Sequence, residues 1–240
     1  MIQVITKSRY PELYSRMLWS AKETASGPIA FSNYVDEVGN MEIAGIYNVL
    51  GSFAKADILI FVHDDIIFLS KGWDDKIKKA MALGFNVVGV IGSKEYRGGM
   101  IFDSGREHSA GKVVGQTDGK RLVRLMEHRT EIEPVSVLDG MFLAVNKDHF
   151  LKTGFDNRLD GLWFWDLDLC LRSNCAVVDI LVAHEKPDNM KGGYPADLRP
   201  MSDYEGYFYE KHGIKKNPKI GDQRCDAVEY SDYVKGAACL

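Results

Sequence analysis

Apolar and polar residues follow one another along the chain in blocks that predict strands and helices in turn. Residues 3–6 form a short β-branched run, and Pro11 then opens a stretch in which apolar residues recur at helical spacing. Residues 28–35 predict a second strand, and residues 43–53 carry the apolar stripe of a second helix. Residues 58–62 form a continuous apolar run, which is typical of a strand buried on both faces of a parallel sheet. The N-terminal part of the chain therefore indicates repeated β-α units.

The same alternation continues through the rest of the chain, with one interruption. Residues 98–134 are rich in glycine and polar residues, which predicts hairpins or a mobile loop. Apart from this segment, the pattern predicts helices at residues 74–83, 147–153, 163–173 and 201–211, and strands at residues 86–91, 135–145 and 176–183. This order predicts an α/β fold with an open, mostly parallel sheet covered by helices on both faces. In such sheets, ligands bind beyond the carboxyl ends of the strands.

The size and charge of the chain limit its domain organisation and its partners. Its 240 residues suffice for a single domain, which we expect to consist of a core at residues 1–184 and an extension at residues 185–240 packed on it. The formal net charge of −4 gives no field that would attract a polyanion. The composition therefore argues against nucleic acid as a partner.

Cysteines and apolar segments predict the location of the protein. The four cysteines are irregularly spaced and form no C-x-x-C pair, which predicts reduced thiols. The first residues lack the basic and apolar regions of a secretory signal, and no apolar run approaches the roughly 20 residues that a membrane span requires. We therefore expect a cytoplasmic protein without a transmembrane segment, for which any contact with a membrane is peripheral.

A histidine and two acids, His63-Asp64-Asp65, directly follow the apolar run of residues 58–62. Adjacent carboxylates at a strand end repel each other unless a cation or hydrogen bonds neutralise them. On an extended backbone His63 and Asp65 share one face, while Asp64 points to the other. A Mg²⁺ or Mn²⁺ ion would therefore bind Asp65, with His63 as a further candidate, and would keep positions for two phosphates of a nucleotide. The alternative is that Asp64 or Asp65 caps the next turn.

Residues 163–172 combine aromatic rings with two acids. Asp166 and Asp168 lie two residues apart, so on a helix they point roughly 200° apart and cannot serve one site together. One of them can face a cleft and act as a general base, because a carboxylate near aromatic rings can have a raised pKa. The other can cap the helix or pair with Arg172, four residues after Asp168. The alternative is an aromatic core helix with acidic capping.

Two further positions could take part in a site. Gly140 interrupts a strand pattern after Asp139, and a glycine there often marks a bulge or a close approach of the backbone to a ligand. His184 follows the last predicted strand, although a lone histidine is more often structural than a metal ligand. No G-x-G-x-x-G follows the first strand, and the chain has no Walker-type or G-x-S-x-G motif. Dinucleotide, P-loop and α/β-hydrolase sites therefore lose their main support.

These motifs, in this order, resemble those of glycosyltransferases of the GT-A fold, particularly the family 2-like group, from about residue 4 to residue 184. In those enzymes an apolar strand ends in a DxD-type motif, to which residues 61–65 are similar, with His63 in place of the first acid. A D-G-x-F-x-A strand, a Gly-Phe-Asp turn and a D-x-D-L-x-x-R helix then follow. They correspond here to residues 139–144, 154–156 and 166–172.

The resemblance implies a GT-A type nucleotide-diphospho-sugar transferase fold and a hexosyltransferase-like activity. A sugar would pass from a nucleoside-diphosphate sugar, with UDP as the expected nucleotide, to a hydroxyl of a carbohydrate or other acceptor. Asp166 would be the catalytic base, and Mn²⁺ or Mg²⁺ would bind Asp65 and His184, with His63 and Asp64 as further candidate ligands. The resemblance also implies the following residues around the donor nucleotide: Thr6, Asp36, Asn48, Asp64, Asp139 and Gly140.

Two alternatives to this function remain open at the level of sequence. A nucleotidyltransferase also combines an α/β nucleotide domain with a divalent ion, but it attacks a phosphate. It usually carries a Gly-rich basic loop after the first strand, which residues 6–9 only faintly suggest. The second alternative is a catalytically weak nucleotide-sugar or carbohydrate-binding protein. It is motivated by His63 and by Trp165, which stands where an acid often precedes the base.

Overall fold

The computed structural model of the chain describes residues 1–36, 42–117, 119–185, 199–215 and 225–237. Strands and helices alternate over most of them. The helices are α1 (Pro11–Thr24), α2 (Ile43–Phe53), α3 (Trp73–Ala82), α4 (Lys147–Thr153), α5 (Trp165–Leu171), α6 (Ser202–His212) and α7 (Tyr230–Ala237). The strands are β1 (Ile2–Ser8), β2 (Ile29–Val35), β3 (Ile58–Val62), β4 (Ile66–Phe68), β5 (Val87–Gly89), β6 (Ile91–Ser93), β7 (Ser109–Thr117), β8 (Lys120–Leu125), β9 (Ile132–Val135), β10 (Val137–Leu138), β11 (Phe142–Asn146), β12 (Cys175–Val178), β13 (Val182–His184) and β14 (Asp226–Glu229).

The main sheet has the strand order β2-β1-β3-β11-β5-β12-β9. β1 pairs in parallel with β2 and β3, and β12 pairs in parallel with β5. Two strands run the opposite way: β11 lies antiparallel between β3 and β5, and β9 lies antiparallel beside β12. Most strands of this sheet therefore share one direction, as predicted. The carboxyl ends of β1 and β3 lie side by side, because Ile5 pairs with Phe61.

Both faces of the main sheet are buried under helices. Phe61 of β3 belongs to a core that also contains side chains of α2, α4, α5 and α6. Its neighbour Ile60 belongs to a second core, which contains Met17 of α1 and Ile77 of α3. Side chains alternate between the two faces of a strand, so the continuous apolar run of β3 fills both cores. Each fully buried Leu, Ile or Phe side chain stabilises the fold by about 1.5–3 kcal/mol.

A second sheet has the order β10-β6-β7-β13-β4, and β8 pairs with both β7 and β14. β7 and β8 form an antiparallel hairpin within the glycine-rich segment, where the sequence predicts hairpins or a mobile loop. Gly119 precedes β8 with a φ of 77°, a conformation that glycine adopts without steric cost.

Two segments predicted as single strands are divided between the sheets. Residues 86–91 contribute β5 to the main sheet and the start of β6 to the second sheet, and residues 176–183 are likewise divided between β12 and β13. The prediction of one strand in each segment is therefore wrong. Val178, Ile180 and Leu181 are all buried, so the single polar residue Asp179 is the only sign of the break between β12 and β13 in the hydropathy pattern. The predicted interruption at Asp139-Gly140 is confirmed, since it separates β10 from β11.

The helix predictions agree with the structure except at α5, which also ends at Leu171 rather than at residue 173. α4 has the predicted bounds, and α3 and α6 are each displaced by one residue. α5 begins at Trp165 rather than at residue 163, because Phe164 has a left-handed backbone with a φ of 67° and cannot belong to a right-handed helix.

The C-terminal described segments contact the rest of the protein. Tyr204 and Phe208 of α6 are buried in the core that contains α2 and α5, and β14 pairs with β8. A domain boundary at residue 184 stays a prediction. No helix in the described parts of the chain is long and apolar enough to span a membrane.

The cysteines that the structure describes are free thiols, as predicted: Cys170, Cys175 and Cys225. Cys239 lies outside the described residues. The cytoplasmic location stays a prediction.

Candidate active site

A cavity of about 340 Å³ opens beyond the carboxyl ends of β1 and β3, where the fold class predicts a ligand site. The structure brings most of the predicted site residues to this cavity. Those that line it are Asp36, His63, Asp64, Asp65, Asp139, Gly140, Asp166 and His184.

His63, Asp65 and His184 form a cluster at one end of the cavity. One ligand atom from each residue lies within 4.8 Å of the other two, which is close enough for the three side chains to hold a metal ion. His63 and Asp65 share one side of the backbone after β3, as the alternation of side chains predicts. His184 joins them because β13 pairs antiparallel with β4, which places His184 opposite Ile66, the residue after Asp65. The Glu185 amide also donates to the Asp65 carbonyl oxygen at 2.8 Å.

The protonation states of this cluster suit a cation. Burial alone would raise the pKa of Asp65, but the neighbouring His184 imidazole lowers it below its ordinary value, so Asp65 stays charged. Burial lowers the pKa of His63, and repulsion from His184 lowers it further. A neutral imidazole and an ionised carboxylate are the forms that bind metals.

One carboxylate oxygen of Asp65 is buried beside His184. Its Oδ1 atom lies 3.2 Å from Nε2 of His184. This contact is an ion pair when His184 is protonated, and the buried oxygen has no other partner among the residues that the structure describes. Leaving a buried carboxylate oxygen unsatisfied is costly, and a cation between Asp65 and His184 would remove that cost.

Asp64 points away from the cluster, toward the loop between β1 and α1. Its Oδ2 atom accepts hydrogen bonds from the backbone amides of Arg9 at 2.9 Å and Tyr10 at 3.2 Å. Burial raises the pKa of Asp64, and these amides oppose that shift. The predicted separation of Asp64 from His63 and Asp65 is present in the structure. Asp64 thus fixes the loop before α1 at the edge of the cavity.

Asp166 lies in the first turn of α5 and is held by two backbone amides. Gly140 N donates to Oδ2 of Asp166 at 2.7 Å, and Leu167 N donates to Oδ1 at 2.8 Å. Burial raises the pKa of Asp166 to about 7, with a further contribution from the nearby Asp139 carboxylate, although the two amides act in the opposite sense. A carboxyl group with this pKa can accept and release a proton near neutral pH.

The backbone approaches Asp166 closely at Gly140. A β-carbon on residue 140 would lie 2.6 Å from Cζ2 of Trp165 and 2.9 Å from Oδ2 of Asp166. Either contact requires the neighbour to move, and Trp165 is fully buried. A glycine at position 140 therefore allows the amide to reach the carboxylate, as its place in the strand pattern suggests.

We expect Gly140→Ala to destabilise the protein by about 1–3 kcal/mol, the usual cost of overpacking a buried site. Gly206→Ala in α6 is the matched control, because a β-carbon there meets no atom within 4 Å and alanine favours a helix. Thermal unfolding should give a lower melting temperature for Gly140→Ala and an equal or higher one for Gly206→Ala. Equal melting temperatures for wild type and Gly140→Ala would contradict the close approach.

Asp168 forms ion pairs within the fold and does not line the cavity. It is fully buried and pairs with Arg172 at 2.6 Å, as the i, i+4 spacing predicts. Nε2 of His212 lies 2.8 Å from its Oδ1 atom, and Lys211 lies 2.5 Å from the same oxygen. Of the two acids in α5, Asp166 therefore faces the cavity and Asp168 faces α6.

Thr6 and Asn48 do not line the cavity, and their predicted place near the donor stays a prediction. Thr6 is fully buried on the face of β1 that carries Val4, and the next residue, Lys7, lines the cavity instead. Asn48 donates its side-chain amide to the Phe155 carbonyl oxygen at 2.9 Å and accepts from Phe155 N at 2.8 Å. Asn48 thus holds the turn after α4.

Lys7 is a site residue that the sequence prediction missed. Its Nζ atom lies 2.8 Å from Oδ2 of Asp36, and both side chains are at least nine-tenths buried. The period-2 alternation of β1 could have identified Lys7, since it lies on the same face as Ile5. Also unpredicted is an apolar part of the cavity lining, here called the apolar wall, which comprises Met100, Ile101, Leu162, Trp163 and Met201.

Comparison with known proteins identifies related sequences and folds. Residues 26–191 match a family described as "Glycosyltransferase like family". None of the curated proteins matches the chain.

Among solved structures, A197 from STIV is 11% identical, with a TM-score of 0.50 over 78% of this chain and 86% of that chain. GalNAc-T7, solved with UDP, GalNAc and Mn²⁺, is 12% identical, with a TM-score of 0.57 over 100% of this chain. The match spans 57% of the GalNAc-T7 chain, so this protein corresponds to little more than half of it. At these identities the likeness concerns the fold alone.

Proposed function

The chain belongs to this glycosyltransferase-like family and has the GT-A fold, as its motifs predict, and from this premise we propose that it transfers a sugar from a nucleoside-diphosphate sugar to an acceptor hydroxyl. The protein is thus a glycosyltransferase. The proposed donor is a UDP-sugar, and the proposed cofactor is a divalent ion. One observation carries the proposal: a single cavity is lined both by the His63, Asp65 and His184 cluster and by Asp166, whose pKa is about 7.

The ligand atoms of the cluster favour Mn²⁺ over Mg²⁺. Two imidazole rings and one carboxylate would hold the ion, and Mg²⁺ rarely accepts nitrogen ligands, whereas Mn²⁺ accepts both nitrogen and oxygen. His63 in place of the first acid of the motif is consistent with this choice. When bound, such an ion offsets the negative charge that develops on a departing diphosphate.

The donor nucleotide would lie along β1 and the loop before α1. We assign Asp36 to the recognition of the nucleobase, with Lys7 holding its carboxylate in place through their buried ion pair. Asp64 would secure the loop that contacts the ribose, through the amides of Arg9 and Tyr10. UDP is the first nucleotide to test, since the GalNAc-T7 structure that shares the fold contains it.

Asp166 would act on the acceptor. The acceptor oxygen attacks the anomeric carbon, the bond from that carbon to the diphosphate oxygen breaks, and the diphosphate leaves with the electron pair. The acceptor proton passes to the Asp166 carboxylate, whose oxygens each keep a free lone pair beside the amides of Gly140 and Leu167. One direct displacement would invert the configuration at the anomeric carbon.

The pH dependence of turnover should follow the ionisation of Asp166. Only the carboxylate form accepts a proton, so kcat should rise with pH and reach a plateau above the pKa of about 7. Each pH unit below the pKa lowers the ionised fraction about tenfold. Steady-state kinetics from pH 5 to pH 9 would measure the profile. A kcat that falls as pH rises through neutrality would exclude Asp166 as the base.

The proposed function is tested by incubating the protein with UDP-glucose, UDP-galactose, UDP-GlcNAc and UDP-GalNAc, each with Mn²⁺, with Mg²⁺ or with EDTA. With water as the acceptor of the sugar, we expect slow release of UDP from at least one donor with Mn²⁺ and none with EDTA. A parallel incubation with nucleoside triphosphates tests the nucleotidyltransferase alternative through release of pyrophosphate. Pyrophosphate release without UDP release would replace the proposed function by that alternative. Binding of UDP without turnover of any donor would favour the catalytically weak binding protein.

The domain organisation forms part of the proposal. Residues 1–184 would supply the nucleotide and metal sites, and residues 185–240 would be an extension within the same domain. The burial of Tyr204 and Phe208 against the core of α2 and α5 supports this division.

A further inference from the structure

Helix α6 contacts the residue before α5 through aromatic rings, since Phe164 lies against both Phe208 and Tyr209. The rings of Phe164 and Phe208 are stacked, with centroids 4.4 Å apart and planes inclined by 20°. Phe208 is fully buried, and Phe164 is nearly so. Phe164 is the residue directly before α5, and Asp166 follows two residues later.

Phe164 needs such a neighbour because its backbone is strained. Among the described residues it is the one non-glycine with a positive φ, at 67°. A bulky residue in this region costs about 1–3 kcal/mol and stays there only when its surroundings hold it. The stacked ring of Phe208 supplies that support, and the backbone turn at Phe164 directs α5 so that Asp166 meets Gly140 N.

The segment around α6 makes two more bonds to the wall of the cavity. Gly99 N donates to the Tyr209 hydroxyl oxygen at 2.8 Å, and Nε1 of Trp163 donates to the Arg199 carbonyl oxygen at 3.0 Å. Both Gly99 and Trp163 line the cavity. The segment around α6 therefore holds Gly99 and Trp163 in place, and with them part of the lining of the cavity.

The other end of α6 is attached to α5 by charge. The buried carboxylate of Asp168 contacts Lys211 and His212 of α6 as well as Arg172. Charged hydrogen bonds of this kind in a buried setting are strong and directional, so they hold two helices in one register. The stacked rings of Phe164 and Phe208 and the ion pairs of Asp168 together hold α6 against α5.

We propose that α6 is a positioning element of the active site, in which Phe208 acts through Phe164 to orient Asp166 and Tyr209 acts through Gly99 to shape the acceptor side of the cavity. The proposal rests on the proposed function and extends it. The region that matches the family ends at residue 191, before α6, so these residues lie outside the matched region. Neither Phe208 nor Tyr209 would touch the reacting atoms.

The test compares three variants for turnover, UDP binding and stability. Phe208→Leu keeps an apolar side chain but removes the flat ring, and Tyr209→Phe removes only the hydroxyl that accepts from Gly99 N. Tyr207→Phe is the matched control, because the hydroxyl of Tyr207 donates to Asp156, which does not line the cavity. UDP release from the best UDP-sugar donor with Mn²⁺ gives kcat and KM. Calorimetry with UDP and Mn²⁺ gives Kd, at a temperature where every variant is folded.

A positioning role predicts a loss in kcat without a loss in nucleotide affinity. We expect kcat to fall about tenfold or more for Phe208→Leu and several-fold for Tyr209→Phe, since small displacements of a positioned group have effects of this order. The Kd for UDP should stay within about twofold, as the nucleotide would lie along β1, and Tyr207→Phe should keep the wild-type kcat. The combined kcat and Kd results support the proposal even if Phe208→Leu lowers the melting temperature.

Unchanged kcat in both Phe208→Leu and Tyr209→Phe would overturn the positioning role and leave the proposed function intact. Equal losses in Tyr209→Phe and Tyr207→Phe would also overturn it, because they would reveal a general effect of α6 on stability. No UDP release by the wild-type chain from any donor would overturn the proposed function, and the positioning role with it.

Discussion

Replacing Asp166 by Asn should lower kcat about 10²- to 10⁴-fold, the usual contribution of a general base, and should leave the Kd for UDP with Mn²⁺ nearly unchanged. The reason is that Asp166, the proposed base, lines the cavity and has a pKa of about 7, which suits proton transfer. Steady-state release of UDP from the donor gives kcat, and calorimetry gives Kd. The remaining activity should lose the rise with pH through neutrality.

Asp166→Asn should also affect the stability of the protein, so a second variant is needed as a control. Both oxygens of Asp166 accept a hydrogen bond from a backbone amide. In asparagine one of these oxygens is replaced by an NH₂ group, which cannot accept that hydrogen bond, so the variant should be less stable than the wild-type protein. Asp166→Ala introduces no such group and should lose kcat to a similar extent. Full turnover in either variant would assign the proton transfer to another group.

Replacing Asp65 by Ala should abolish the part of nucleotide affinity that depends on Mn²⁺. Asp65 would be the charged ligand of the proposed metal site, and even residues that merely support a metal ligand often cost 10–100-fold in metal affinity when they are replaced. We therefore expect a loss on the order of 100-fold or more in the Mn²⁺-dependent affinity for UDP. Calorimetric titration of UDP with Mn²⁺ and with EDTA measures it.

Asp75→Ala is the matched control for Asp65→Ala. Asp75 is an exposed acid of α3 that pairs with Lys78, and it does not line the cavity. It should bind UDP with Mn²⁺ as the wild type does. Equal affinity of the Asp65→Ala variant and the wild type for UDP with Mn²⁺ would remove Asp65 from the metal site.

The sequence predicts those parts of the site that depend on local geometry. The continuous apolar run of β3 locates the strand end, and the period of two along an extended chain places His63 and Asp65 on one side and Asp64 on the other. The helical period likewise separates Asp166 from Asp168, which indeed pairs with Arg172. The glycine at position 140 within a strand pattern likewise predicts the interruption between β10 and β11.

The sequence does not predict those parts that depend on pairing between distant segments. His184 reaches Asp65 through the pairing of β13 with β4, and a pattern in which Val178 to Val182 are nearly all buried conceals the turn that separates β13 from β12. The resemblance indicates Thr6 on β1, whereas Lys7 lines the cavity, because adjacent side chains of a strand point to opposite faces. The contacts of α6 with Phe164 and Gly99 join residues more than 40 positions apart in the chain, so no local pattern reports them.

The most direct test of the central claim is anomalous diffraction at the manganese edge from a crystal grown with Mn²⁺ and UDP. The account predicts a manganese peak within about 2.0–2.4 Å of Oδ1 of Asp65 and of a ring nitrogen of His184, beside a bound diphosphate. UDP bound in the cavity with no manganese at Asp65 and His184, or with manganese bound elsewhere, would contradict it.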